Sequence, residues 1–352
     1  MPKVPTFSDL PTLDKAQGQS GAFNSSDEKA KALANSTISR ELAQDVEGSS
    51  RYSRLGRALA AFGLSDSPSQ LGVIVVMPVG SKPGFDRLRD MWDEKTGSLR
   101  DGYGFQDLEE AARDAHVRMV YDENGITNSP SQAYSNSLSL SMENTALRKD
   151  VIVVSAYNPT ASKMIDGVEA GMIKMGTNTA TVEAARSMIT RVVAYNESLA
   201  KQEGDPTLAY TQVWGHSEGA AIDMQALLEG MSPSVLAKVD ARFFGNPMGV
   251  APAGLHSFMD VGNVNDNVAQ MGRKLTFSGG VENSKGFIDG NTANPGSYQY
   301  VPANFVVDAR GEWNHSWQYY FSDSTTRSAF GLAEMDANLK EFYSHSYWKE
   351  KE

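Results

Sequence analysis

LAYTQVWGHSEGAAIDMQALLE, residues 208–229, decides how the rest of the chain is read. Leu208, Tyr210, Val213 and Trp214 make an apolar, β-favouring run, and Gly215-His216-Ser217-Glu218-Gly219 makes a tight turn. From Ala220 to Leu228 the residues favour a helix with an apolar face. Strand, turn and helix in unbroken succession around G-x-S-x-G present a serine for nucleophilic attack. Serine is a poor nucleophile at its ordinary pKa, so it must be held exposed where a histidine can reach it. The two glycines keep bulk away from a bend whose central residue is forced into an unfavourable backbone conformation. The helix that follows aims its first N–H groups at the place where an oxyanion would form. The bland alternative is a surface Gly-Ser turn between a strand and a helix.

Working outward, 352 residues with 40% hydrophobic and 9% aromatic side chains can bury a sizeable core. A formal net charge of −11 argues against nucleic acid and against a constitutive hold on anionic membranes, leaving only transient contact with a membrane surface. The chain has no cysteine, so disulfides, thiolate metal sites and a cysteine nucleophile are excluded. No apolar run is long enough to span a bilayer, and the first 20 residues lack the apolar core of a cleaved signal peptide. These features fit a cytoplasmic protein or one exported without a cleaved signal. Nothing in the sequence calls for a cofactor or a metal, and oligomeric state is not legible.

Residues 1–50 are polar and read as a mobile leader or docking arm, apart from a short helical pattern around Asp27 to Asp45. Residues 65–350 read as one α/β domain. Leu71 to Pro78 and Asp150 to Tyr157 are short, β-branched apolar runs with the signature of buried parallel strands. His116 to Tyr121, Leu208 to Trp214, Val239 to Gly245, Phe258 to Val264, Lys274 to Ser278 and Asn304 to Asp308 add further strands. Tyr52 to Phe62, Phe105 to Ala115, Pro159 to Ala200 and a closing segment Phe330 to Tyr343 are helical in pattern, whereas Asn124 to Asn144 reads as a long polar loop. Strands alternating with helices predict a mostly parallel sheet with helices on both faces.

A serine on such a turn needs a base, and the base an orienting acid. Of five histidines, His116 lies in a strand pattern, His216 points off the turn and His345 sits near the chain end. His315 follows a predicted strand by a short loop and is preferred over His256, which comes early unless the acid precedes it. For the acid, Asp266 lies in a polar turn just past the strand ending near Val264, with Asp260 and Asp289 as rivals.

The VWGHSEGAA turn, the Phe244-Gly245-Asn246-Pro247 step after the next strand and the Asn263 to Val268 turn (NVNDNV) together resemble the lipase and esterase branch of the α/β-hydrolase superfamily. The resemblance covers about residues 205–320. It implies an α/β-hydrolase fold and a Ser217–His315–Asp266 triad. It also implies an oxyanion hole built from the backbone N–H of Glu218 and one donor from an upstream strand-end loop. Two loops are open for that donor, one through Val79 and one through Asn158. The activity implied is hydrolysis of carboxylic esters, with lipid or phospholipid esters favoured, and the polar leader is similar to that of secreted bacterial effectors of lipase type. A thioesterase or acyltransferase on the same triad, or a hydrolase-fold binding protein without catalysis, are the alternatives. The methionine-rich stretch Ile165 to Val182 reads as core or as a wall for an acyl chain.

Overall fold

The structure, a computed structural model, describes residues 26–78, 85–125, 128–159, 163–248, 253–263, 298–301, 317–322, 327–328, 330–335, 339–340 and 343. In chain order it has α1 (Ser26–Ala34), α2 (Thr37–Gly48), α3 (Arg54–Ala61), β1 (Gly72–Val76), α4 (Asp86–Met91), and a small ribbon of β2 (Trp92–Asp93) and β3 (Ser98–Leu99). Then come α5 (Phe105–Asp114), β4 (Arg118–Glu123), α6 (Pro130–Ala146), β5 (Val151–Tyr157), α7 (Lys163–Lys174), α8 (Ala180–Glu203), β6 (Thr211–His216) and α9 (Glu218–Leu228). The chain continues through α10 (Pro233–Leu236), β7 (Val239–Phe244), β8 (Ser257–Asn263), β9 (Tyr298–Val301) and α11 (Trp317–Ser322).

Seven strands form one sheet in the order β1-β5-β4-β6-β7-β8-β9. Six of them run parallel, as the alternation of strands and helices predicts. The side chains obey the two-residue period of a strand. Val73, Val75, Tyr121, Ile152, Val154 and Val213 enter the core beneath α2, α5, α8 and α9. Ile74, Val76, Val120, Val153, Trp214 and Phe244 enter the opposite core with α1, α6 and α11. Continuous runs such as Val151–Tyr157 are buried at every position because both faces are covered. Among the described residues, no helix is long and apolar enough to cross a membrane.

Four expectations need correction. The strand at Leu71 to Pro78 exists, but it lies at the sheet edge and runs antiparallel to β5, Gly72 opposite Tyr157 and Val76 opposite Val153. Two-sided burial sets its composition, and burial says nothing of direction. The leader is not uniformly loose. Its residues 26–48 form two helices whose Leu33, Ile38, Leu42 and Val46 are fully buried, each stabilising the fold by roughly 1.5–3 kcal/mol relative to exposure. Ser36 caps α2 by accepting from the Ser39 N–H, and residues 1–25 lie outside the described part. The polar stretch Asn124 to Asn144 is mostly the helix α6. Ser129, Pro130 and Gln132 supply a capping box with proline in the first turn. The Ser137 hydroxyl reaches back to the Ala133 carbonyl (3.1 Å), so a serine-rich face can be buried against the sheet. Lastly, the closing helix expected over Phe330 to Tyr343 is interrupted: Gly331 takes φ 65° and residues 332–335 are not helical.

β9 was not expected, while the strands expected at Lys274 to Ser278 and Asn304 to Asp308 lie outside the described residues. The far end of the chain is tied back to α6 through a buried carboxylate. Glu143 accepts from both terminal nitrogens of Arg327, one at 2.8 Å, and from the Tyr343 hydroxyl at 2.9 Å.

Candidate active site

β6 is a central strand between β4 and β7, and its chain turns sharply at Ser217 into α9. Ser217 has φ 58° and ψ −124°, a conformation that a residue with a Cβ adopts only under strain. Both glycines of the motif are required by space. A Cβ on Gly215 would stand 2.7 Å from the Ala220 Cα, and one on Gly219 would stand 2.5 Å from the Glu123 carbonyl oxygen. The Ser217 N–H donates to the Phe244 carbonyl at 3.2 Å, which pins the turn to the end of β7. The serine was expected to be exposed; it is only 4% exposed.

Glu218 is the first residue of α9, so its N–H belongs to the first turn of the helix directly after the serine. The two loops proposed for a second donor fare differently from this. Val79 lies outside the described residues, and β1, which leads to it, ends at Val76 beside Val153 near the start of β5. That is the amino edge of the parallel strands, across the sheet from Ser217, because β1 runs the other way. Asn158 follows β5 on the correct edge, but β4 separates β5 from β6. Its N–H is already donated to the Asn124 Oδ1 at 2.9 Å.

The loop that does meet the serine follows β4. A Cβ on Gly125 would stand 2.9 Å from the Ser217 Cβ and 3.1 Å from the His216 carbonyl oxygen. Buried Asn124 organises this loop. Its Nδ2 donates to the carbonyls of Gly125 and Asn158, both at 3.1 Å, and Asn128 Nδ2 adds a second bond to the Gly125 carbonyl at 3.2 Å. The sequence pattern ends the strand at Tyr121 and reads Asn124 onward as a long polar loop, so the approach of Asn124-Gly125 to the serine is not evident from it. A glycine directly after a buried strand was the signal available.

Asp266 and His315 both lie outside the described residues, as do Asp289 and His345. The remaining histidines are placed. His116 stands in the turn before β4 at φ 54°, its Nδ1 2.6 Å from the Glu203 Oε1. His256 precedes β8, its Nδ1 2.6 Å from the Asp240 Oδ1 and its ring stacked on Tyr210 at 3.7 Å. Both are at the amino edge of the sheet, which removes His256 as the base. His216 faces the aromatic cluster, stacked on Phe244 and edge-on to Trp317. Asp260 is fully buried within β8 and accepts from Asn246 Nδ2 at 2.9 Å. Ile173 of the methionine-rich stretch is core, while Met175 is exposed.

Beneath the turn lies a group of buried acids. Burial, and then the charge of Asp223, hold Glu123 well above the ordinary carboxylate range, and burial does the same for Asp223. On the other face of β4, burial pushes Asp122 up to about 7 against the hydrogen bond from Ser137. Among the described residues, no group of three or more histidines and carboxylates is arranged to hold a metal ion. Comparison of the chain with protein-family models, curated proteins and solved structures gave no match, so the strained serine and the loop against it are what any functional assignment must rest on.

Proposed function

We propose that the protein is a serine hydrolase of carboxylic esters on an α/β-hydrolase scaffold, with Ser217 as nucleophile, His315 as base and Asp266 as the orienting acid. The observation that carries this reading is the backbone of Ser217, φ 58° and ψ −124°, at the junction of a central parallel strand and a helix amino end. Backbone strain of this kind, worth about 1–3 kcal/mol, persists where the surroundings over-determine it and is characteristic of active sites.

Two further placements support the partners. β8 runs parallel to β6 and ends at Asn263, three residues before Asp266, so it delivers the chain to the edge that holds Ser217. Trp317, two residues beyond His315 in the sequence, packs edge-on against His216, the neighbour of Ser217. In the reaction His315 takes the Ser217 proton as Oγ attacks the ester carbonyl. The N–H of Glu218 and a donor from the Asn124-Gly125 loop receive the oxyanion. His315 then protonates the departing alcohol, and a water deprotonated by the same histidine releases the acid. The favoured substrates are lipid or phospholipid esters, an expectation that comes from the lipase resemblance and from the methionine-bearing α7, which packs on α9.

A fluorophosphonate probe, with the labelled peptide sequenced by mass spectrometry, tests the reading. Labelling at Ser217 together with turnover of a p-nitrophenyl ester is the expected result. A chain that is folded by circular dichroism but unlabelled at Ser217 would sink it. A panel of short-chain, long-chain and phospholipid esters then tests the substrate class.

A further inference from the structure

The buried acids under Ser217 take no part in the chemistry above, yet they touch the two elements that hold the serine in place. Asp223 lies on α9 one turn beyond Gly219, so both face β4. A Cβ on Gly215 would stand 2.8 Å from the Asp223 Oδ2, which puts the carboxyl group directly beneath the strand end. Asp223 is fully buried, and neither of its oxygens has a hydrogen-bond partner among the described residues. Glu123, the last residue of β4, is 1% exposed and accepts from the Tyr121 hydroxyl. Its own carbonyl is the atom against which Gly219 packs.

We infer that Asp223 and Glu123 are positioning acids: as neutral carboxyl groups they let α9 seat on the end of β4 and so hold Ser217 against Gly125, and loss of a proton from either unseats the helix. Its consequence for catalysis rests on the reading of Ser217 as nucleophile. Among the described residues the groups that bear on the pair are themselves acidic: Tyr121 on the same strand, Glu169 from α7, which accepts from the Thr181 hydroxyl and the Asp66 N–H, and, through its charge from the other face of β4, Asp122. Among the described residues none of Asp122, Glu123 and Asp223 makes an ion pair, and an ionised carboxylate buried without a cation is far costlier than a neutral one. The direction follows from linkage. An acid whose folded-state pKa is raised contributes stability that is complete below the ordinary carboxylate range and is lost as pH rises through the folded value. The molecule is therefore clamped most firmly at acid pH and loosened as pH rises from the ordinary carboxylate range through the folded values, whereas a simple serine–histidine pair gains reactivity as the histidine deprotonates.

The test compares the full chain with Asp223→Asn, Glu123→Gln and, as a control on the other face of the strand, Asp122→Asn. Glu123→Gln retains an oxygen for the Tyr121 hydroxyl, and it carries the test should Asp223→Asn fail to fold. The rate of fluorophosphonate labelling of Ser217 and the unfolding midpoint are read from pH 5 to 10. Wild-type labelling and midpoint should both fall as pH rises across this range. At pH 9 the Asp223→Asn or Glu123→Gln chain should label about tenfold faster than wild type, the equivalent of one pH unit moved, while rates at pH 6 stay within about twofold. Asp122→Asn should recover part of the midpoint and none of the labelling. Wild-type curves that stay flat to pH 10, or an alkaline loss that is unchanged in both variants, would overturn the inference. Should Ser217 take no label at any pH, the hydrolase reading fails by itself. The midpoint then decides: the clamp survives only if Asp223→Asn or Glu123→Gln flattens its alkaline fall.

Discussion

The two edges of the sheet carry the same kinds of residue to different ends. At the amino edge, His256 meets Asp240 and His116 meets Glu203, each at 2.6 Å. Both pairs are partly open to solvent, and the His256 ring lies flat on Tyr210. At the carboxyl edge stand a buried serine in a strained conformation, two glycines with no room for a Cβ, and a loop knotted by amide side chains. A histidine against a carboxylate at 2.6 Å is thus no sign of catalysis in itself. What distinguishes the edges is direction. Parallel strands followed by helices put helix amino ends, with their unpaired N–H groups, at the carboxyl edge only, where a developing negative charge can be received.

Five substitutions, with two controls, would sharpen or break that contrast, and the largest effect belongs at the carboxyl edge. Ser217→Ala should lower ester turnover by about 10⁴-fold or more and leave the circular dichroism spectrum unchanged. A residual rate above a few per cent would show that the strained turn is structural. Asp266→Asn should cost about 10⁴-fold, because asparagine can donate to His315 and put the proton on the nitrogen that must accept one. Asp260→Asn and Asp289→Asn are its controls, and a larger loss in either moves the acid there. For Asp260→Asn the expected loss is in stability, since its carboxylate holds Asn246 inside the fold.

Gly125→Ala comes next. Its methyl group would press on the Ser217 Cβ from 2.9 Å, and a displacement of this order at a reacting group costs about 10²-fold. An unchanged kcat would mean that the β4 loop is a neighbour and not a partner. The smallest effect is at the other edge. His256→Ala and Asp240→Asn should each leave turnover within about twofold and shift stability little, as befits a half-exposed pair. A steep loss of rate in either would erase the distinction between the edges.

What the sequence discloses follows the same division between local and long-range causes. The serine turn was legible because its strand, glycines and helix lie within one continuous stretch, residues 208–229. The parallel strands were legible because burial on both faces selects β-branched residues, as in Val151 to Tyr157. The direction of β1 was not, since a strand buried on both faces has the same composition whichever way it runs. Ile38, Leu42 and Val46 recur every four residues inside a polar segment, a helical stripe outweighed by the serines and acids around it. For α6 the Ser129-to-Gln132 capping box was a readable start signal, but serine and asparagine content argued for a loop. The Gly125 contact joins residues distant in sequence and left only a glycine after a strand as its trace. Asp266 and His315 rest on spacing, chain order and the resemblance, and both lie outside the described residues.

The tie between Glu143 and Arg327 also sets a timetable. The two residues are 184 positions apart, so at about 5–20 residues per second the carboxylate waits roughly 10–40 s after its own synthesis before its guanidinium partner exists. During that interval the Glu143 carboxylate, 1% exposed in the folded chain, has not yet met its Arg327 partner. The aromatic layer of Trp317, Phe321 and Phe330 comes from the same late part of the chain. Closing that side of the sheet is therefore an event of the completed polypeptide, and a ribosome stalled before residue 327 would hold the Ser217 turn already synthesised beside an unfinished wall.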